Sequence, residues 1–290
     1  MIAHLIAALK RPLGLHHPGR NLAIFADDVF LVSYPKSGNT WARFLLANLV
    51  YPQQNPSWEN IDRLIPDPEV VSKRRLERMQ RPRIIRSHDP FDPRYKQVVY
   101  IVRDPRDVAL SQYHHHRKRK LIDDNYPFPV FLGRFLAGET NEHGSWKQNV
   151  ASWLVTRSGD PGFLLIRYED MVANTRHELG KMAKFLRLSA DPKSVAESVV
   201  QSSPDRMRQL EKINSDNCAL IKDTRPDLPF VRTAKSGNWK SEMDPGSVAA
   251  IEEACGPLMK SLGYELVSRD ARAVEDFPIC VFEGPVGVGE

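Results

Sequence analysis

Short apolar runs recur along the first two thirds of the chain at spacings too long for hairpins. Val29–Ser33, Arg83–Ser87, Val98–Val102 and Phe163–Arg167 read as strands. Runs with no polar alternation belong to strands buried on both faces. The helical or irregular stretches between them supply the crossovers, so the pattern predicts an α/β fold with a central parallel sheet flanked by helices. After the first run, Pro35 and Gly38 break the strand, and a helix capped by Asn39 or Thr40 is expected from near Trp41 to Val50. Thr175 and Glu178 have capping-box spacing ahead of a helix over 179–186, and Asp244-Pro245 opens a helix closed by Gly263. The proline-rich stretch 52–68 reads as an irregular crossover, and 205–240 reads mostly as a long loop of the kind that serves as a lid. Trp146 and Trp153, seven apart in a helical stretch, are expected in the core.

Composition narrows this little. A chain of 290 residues, 41% of them hydrophobic, can bury one large core, so a single α/β domain is expected, with a frayed end at 284–290. A net charge of +5 suits a polyanionic small ligand as well as it suits nucleic acid. Cys218, Cys255 and Cys280 are far apart and odd in number, which gives neither a disulfide framework nor metal spacing and points to a reducing, cytoplasmic setting. The stretch Ile2–Leu9 is too short to span a bilayer and lacks the features of a signal peptide; it reads as a helix packed on the domain. His114, His115 and His116 precede Arg117–Lys120, but consecutive helical residues point about 100° apart and cannot all face one ion. A solvated basic helix end is expected there. Aromatic residues do not interleave with it, so nucleic-acid binding is not expected.

The chemistry concentrates at Tyr34–Trp41. A strand, a tight loop and a helix N-terminus aim free backbone N–H groups and a helix dipole at one point, and Lys36 adds a full positive charge, which together suit phosphate or sulfate oxygens. A nucleotide-triphosphate loop would place its lysine after the last glycine and add an acidic magnesium ligand; here Lys36 precedes Ser37-Gly38. In open parallel sheets ligands bind at the carboxyl ends of the strands. Lys36, His88, Arg103 and Tyr168 each end or follow a predicted strand, so one crevice is expected to gather all four.

The string Tyr-Pro-Lys-Ser-Gly-Asn-Thr-Trp resembles, at seven of eight positions, the 5′-phosphosulfate loop of the cytosolic-type sulfotransferases, usually Tyr-Pro-Lys-Ser-Gly-Thr-Thr-Trp. Arg103-Asp104-Pro105-Arg106-Asp107 with Ser111 is similar to that family's 3′-phosphate segment. His88, in Arg86-Ser87-His88-Asp89-Pro90, falls on the family's catalytic histidine, usually in Lys-Thr-His-Leu-Pro. The adjacent Asp89 is expected to raise the pKa of His88. Tyr168-Glu169-Asp170 resembles the segment whose tyrosine contacts the adenine side, Ser202 and Met207 have the spacing of an adenine pocket, and Phe230–Lys240 resembles a further nucleotide segment. That last segment retains Arg232 but carries Thr233-Ala234 in place of Lys-Gly.

The resemblance runs from about 30 to 262 and implies one domain over 1–290, with 1–28 as an extension and 264–290 as a tail. It implies a donor, 3′-phosphoadenosine 5′-phosphosulfate (PAPS), a product, 3′,5′-adenosine bisphosphate (PAP), and no metal. His88, Lys36 and Ser111 would be catalytic. Lys36, Ser37, Gly38, Asn39, Thr40, Trp41, Arg103, Ser111, Tyr168, Ser202, Met207, Arg232, Thr233 and Ala234 would hold the nucleotide. The acceptor would be a small molecule bearing a hydroxyl or amine, bound by segments 58–78, 113–128 and 216–230, whose residues lean toward a polar molecule. A family dimer motif is matched only by Ser247-Val248 and Glu252, with Met243 at the lysine position, which leaves a monomer or weak homodimer. A kinase-like phosphotransferase, a nucleic-acid-binding protein and a non-catalytic nucleotide binder stay open as alternatives, with Asp89, Thr233 and Ala234 the hints for the last.

Overall fold

The computed structural model describes residues 22–214 and 221–268. Ile2–Leu9, Cys218, Cys280 and 284–290 lie outside the described residues. Four strands, β1 (Val29–Ser33), β2 (Ile84–Ser87), β3 (Gln97–Val102) and β4 (Phe163–Arg167), form a parallel sheet in the order β2-β1-β3-β4. Leu31 pairs with Arg86 on one side and Val99 on the other. The chain starts in the middle of the sheet, steps out to β2 and returns past β1 to β3. That reversal opens a crevice at the carboxyl end of β1.

Helices follow in the order α1 (Asn39–Val50), α2 (Ile61–Leu64), α3 (Lys73–Glu77), α4 (Pro105–Lys118), α5 (Phe128–Ala137), α6 (Trp146–Arg157), α7 (Tyr168–Ala173) and α8 (Thr175–Phe185). They continue as α9 (Pro192–Gln201), α10 (Pro204–Asn214), α11 (Trp239–Glu242) and α12 (Pro245–Ser261). Strand side chains alternate between two apolar layers. Phe30, Val32, Val98 and Tyr100 join Val108 of α4, Phe131 of α5, Trp153 of α6 and Ile251 of α12. Leu31, Val99, Ile101 and Ile166 join Phe44 and Leu45 of α1, Leu179 and Met182 of α8 and Met207 of α10. Both faces are therefore covered, which is why the strands read as unbroken apolar runs. Among the described residues no helix is long and apolar enough to cross a membrane.

Two local expectations change. The cap of α8 is Asn174, whose side chain accepts from the His177 N–H, because the Thr175 hydroxyl is spent donating to the Met171 carbonyl at 2.7 Å. The stretch 205–240 begins within α10, held by Met207 and Leu210, three apart and both buried; among the described residues that follow, it runs as turns and loop from 221 to α11. Glu252 is fully buried: it pairs with Arg106 at 2.5 Å and accepts from the N–H groups of Val267 and Ser268. The position aligned with a dimer motif is thus engaged inside the subunit.

Candidate active site

A cavity of about 590 Å³ opens at the carboxyl ends of the strands, and its wall includes Lys36, His88, Arg103 and Tyr168. The loop after β1 is closed by the Ser37 N–H donating to the Tyr34 carbonyl, with Lys36 at φ 68° and Gly38 at φ 100°. A Cβ on Gly38 would stand 2.5 Å from the Tyr168 ring, so only glycine lets the tyrosine that opens α7 approach the loop. Helix α1 starts at Asn39, two residues earlier than the apolar pattern suggests, with no side-chain cap and no acidic residue in its first turn. Gly38, Asn39 and Thr40, at its N-terminal end where the first N–H groups have no intrahelical partner, line the cavity.

Cations crowd this end. The Lys36 Nζ lies 4.5 Å from the centre of the Phe230 ring, and burial, followed by the charges of Arg103, Arg86 and Lys118, pulls its pKa down to about 7. The Arg103 guanidinium sits 4.3 Å over the Tyr168 ring, donates to the carbonyls of Lys36 and Lys235 at 3.2 Å each, and keeps a buried Nε with no partner. Ser111, Met207, Thr233 and Ala234 also line the cavity. Arg232 does too, with its Nη1 turned to Glu242 at 2.7 Å. Trp41 donates its indole N–H to the Ser202 carbonyl at 3.0 Å and meets Tyr168 edge-on.

Two expected nucleotide residues do not reach the cavity. Ser202 is fully buried and its hydroxyl accepts from Asn48, because it ends α9 against α1; it supports Trp41 through its carbonyl. Ser37 is fully buried beneath the loop, its Oγ without a partner.

His88 follows β2. Its Nδ1 lies 2.6 Å from the Ser33 carbonyl at the end of β1. Since that oxygen only accepts, Nδ1 carries the hydrogen and Nε2 keeps its lone pair. Burial, then the charge of Arg86 and the neighbouring His143, push the pKa well below 6.5, so the ring is neutral. The expected upward shift from Asp89 does not occur. Asp89 turns away, accepting from the Tyr95 hydroxyl at 3.1 Å and facing His143 Nδ1 at 3.7 Å. Arg86 pairs with Asp67.

The helix end after α4 is not simply solvated. His115 and His116 line the cavity, where burial lowers the pKa of each, and Lys118 is buried, donating to the carbonyls of Arg225 and Leu228 and facing Glu211 at 3.6 Å. Glu211 in turn accepts from the N–H groups of Phe230 and Val231. The basic run therefore anchors the loop that covers the site. Trp146 and Trp153 are core residues as expected, and they also donate to the backbone carbonyls of Arg103 and Asp89, fixing two site loops.

Segment 58–78 contributes nothing to the cavity wall; Trp58 is buried and bonds the Met207 carbonyl. A segment the sequence reading missed, Thr140–His143, lines it instead. Its signal was present in the sequence: polar, chemistry-bearing residues stand between Gly138, which ends α5, and Ser145, which caps α6.

A family model described as a sulfotransferase domain matches residues 26–263. The chain is 31% identical over 240 residues to sulfotransferase 1A1 of Canis lupus familiaris, covering 74% of this chain and 77% of that protein. It is 28% identical over 243 residues to sulfotransferase 1 family member D1 of Rattus norvegicus, covering 78% of this chain and 81% of that one. Its fold is similar to that of mouse sulfotransferase SULT7A1 complexed with PAP, with a TM-score of 0.66, 25% identity, and coverage of 87% of this chain and 89% of that one. Retinol dehydratase in complex with androsterone and PAP shares the fold at a TM-score of 0.67 and 20% identity, over 86% of this chain and 85% of that one. With the family model spanning most of its length, the chain belongs to the sulfotransferase family.

Proposed function

We propose that this sulfotransferase moves the sulfuryl group of PAPS to a hydroxyl or amine of a small-molecule acceptor, with His88 as general base, and releases PAP. The observation that carries this is the meeting of Lys36 and a neutral His88 in one cavity, at the ends of adjacent strands β1 and β2. The residues fit a doubly anionic nucleotide. Uncapped N–H groups of α1 and Lys36 suit the 5′-phosphosulfate, while Arg103, with its unpartnered Nε, and Ser111 suit the 3′-phosphate. Met207, Trp41 and Tyr168 offer an apolar and aromatic wall for the base.

When bound, PAPS supplies an activated sulfur whose bond to the phosphate oxygen breaks as the bond to the acceptor oxygen forms. His88 Nε2 takes the acceptor's proton, and the Ser33 carbonyl steadies the resulting imidazolium through Nδ1–H. Lys36 and the α1 N–H groups stabilise the charge left on the phosphate oxygen. None of these steps needs a metal. A cytoplasmic setting belongs to the same reading, supported by three dispersed cysteines. Incubation with sulfur-labelled PAPS and pooled hydroxyl and amine acceptors tests it: label is expected in acceptor, and a chelator leaves the rate unchanged. Transfer from ATP instead, or a magnesium requirement, would refute it.

A further inference from the structure

We propose that the acceptor carries an oxyanion, a carboxylate in its simplest form, held by Arg119 at the carboxyl end of α4 while the acceptor's hydroxyl meets His88. This rests on the sulfotransfer reading above and names the acceptor class for that same cavity. Arg119 is exposed and lines the cavity, and its side chain makes no hydrogen bond or ion pair among the described residues. The other cations of that wall are engaged. Arg86 pairs with Asp67 and Arg232 with Glu242, while Lys36 and Arg103 suit the nucleotide. Among the described residues of the wall, one guanidinium is left over.

One helix face joins the two ends of the cavity. Ser111, His115 and Arg119 follow at intervals of four, which places them on one side of α4, and all three line the cavity. Eight residues of helix rise about 12 Å, so Arg119 branches from the wall well away from Ser111 and the 3′-phosphate assigned to it. The turn that carries Arg119 is fixed in place. The Lys120 N–H donates to the Arg117 carbonyl and the Leu121 N–H to that of His116, with Lys118 buried beside them.

This end of α4 borders the segment that approaches the base. His116 bonds the backbone of Thr140, the first residue of the lining segment Thr140–His143, and the His143 ring is 5.5 Å from that of His88. A molecule whose hydroxyl meets His88 and that lies along this wall brings its other end to Arg119.

Charge points the same way. Burial first, and then surrounding cations that include Arg119 in both cases, hold His115 and His116 below the ordinary histidine value. The one carboxylate among the described lining residues, Glu142, groups with Glu69 and His143 within 4.8 Å. An oxyanion at Arg119 offsets the positive charge along α4, and the guanidinium fork offers it two directed bonds.

The test is titration calorimetry in low-salt buffer on protein saturated with PAP, which occupies the nucleotide cations. The pairs are 4-hydroxyphenylacetate against 4-ethylphenol, and 6-hydroxyhexanoate against hexanol. In at least one pair the carboxylate is expected to bind about tenfold tighter or more, the weight of a charge-assisted hydrogen bond. That ratio should fall toward one in Arg119→Gln and in Arg119→Ala. Equal or weaker binding of the carboxylate in both pairs, no measurable binding of either carboxylate, or a preference that survives both substitutions overturns the inference. Should one variant not fold, the wild-type ratios and the other variant still decide. Tight carboxylate binding without transfer of label from PAPS would instead refute the base assigned to His88, so the two readings fail separately.

Discussion

The Nδ1 of His88, the residue after β2, lies 2.6 Å from the carbonyl oxygen of Ser33, the last residue of the adjacent β1. This bond fixes the tautomer and leaves the lone pair on Nε2. Burial and the charge of Arg86 hold the ring below its usual pKa. A base must be neutral to accept a proton, so a lowered pKa extends activity toward acid. The rate should therefore fall only as pH drops below 6.5. His88→Ala should cut turnover by at least about 10²-fold while leaving PAP affinity nearly intact. Asp89→Asn should leave the acid limb in place, since that carboxylate faces Tyr95 and His143. A limb that moves down in Asp89→Asn would return Asp89 to the control of the base.

Lys36 should set the opposite limb. Its pKa is pulled down to about 7 in the free protein, and the charged form is the useful one. As pH rises through that value the free enzyme loses the proton, so kcat/KM for PAPS should decline above about pH 7 even though His88 remains neutral. Once an anion is bound beside it, the charged form is favoured, and kcat should hold to higher pH than kcat/KM does. Lys36→Ala should abolish this alkaline decline and reduce turnover more than PAP affinity. Parallel alkaline limbs in kcat and kcat/KM would show that another group is responsible.

Arg103 and Ser111 should make the 3′-phosphate the nucleotide's main discriminator. PAP is expected to bind about 2–4 kcal/mol more tightly than AMP, with or without chelator, and Arg103→Ala should remove most of that difference. Arg232 is bonded to Glu242. Breaking that pair in Glu242→Gln frees a cation at the cavity edge, so PAP affinity should rise, by under about 1 kcal/mol for so exposed a pair. Calorimetry on the three proteins checks both statements.

The sheet and the crevice were legible in the sequence because each rests on a local signal: apolar runs for the strands, and Lys36, His88, Arg103 and Tyr168 at their carboxyl ends. What was not legible depended on which way a side chain turns. Nothing local says that Asp89 faces Tyr95 and His143, that Ser202 offers its carbonyl in place of its hydroxyl, or that Lys118 reaches inward to carbonyls more than one hundred residues away. One stretch of the cavity wall was missed for the same reason. Thr140–His143 enters the cavity only because α5 and α6 pack on the sheet.

Two loop positions at positive φ give the last prediction, because they should respond with opposite signs. Gly38, at φ 100°, has no room for a methyl, since a Cβ would stand 2.5 Å from the Tyr168 ring. Gly38→Ala should therefore combine backbone strain with displacement of Tyr168, costing stability and PAP affinity together. Ala234, at φ 52°, already carries that strain in the covering loop. Holding an L-residue there costs about 1–2 kcal/mol, and the extra unfolded-state entropy of glycine returns about 0.5–1 kcal/mol of that. Ala234→Gly should thus gain on the order of 0.5–1 kcal/mol in the folded loop. The gain should be read as a higher melting temperature or as tighter PAP binding, since Thr233 and Ala234 line the same cavity. If Ala234→Gly lowers both, the left-handed backbone at that position is not the resting state of the loop.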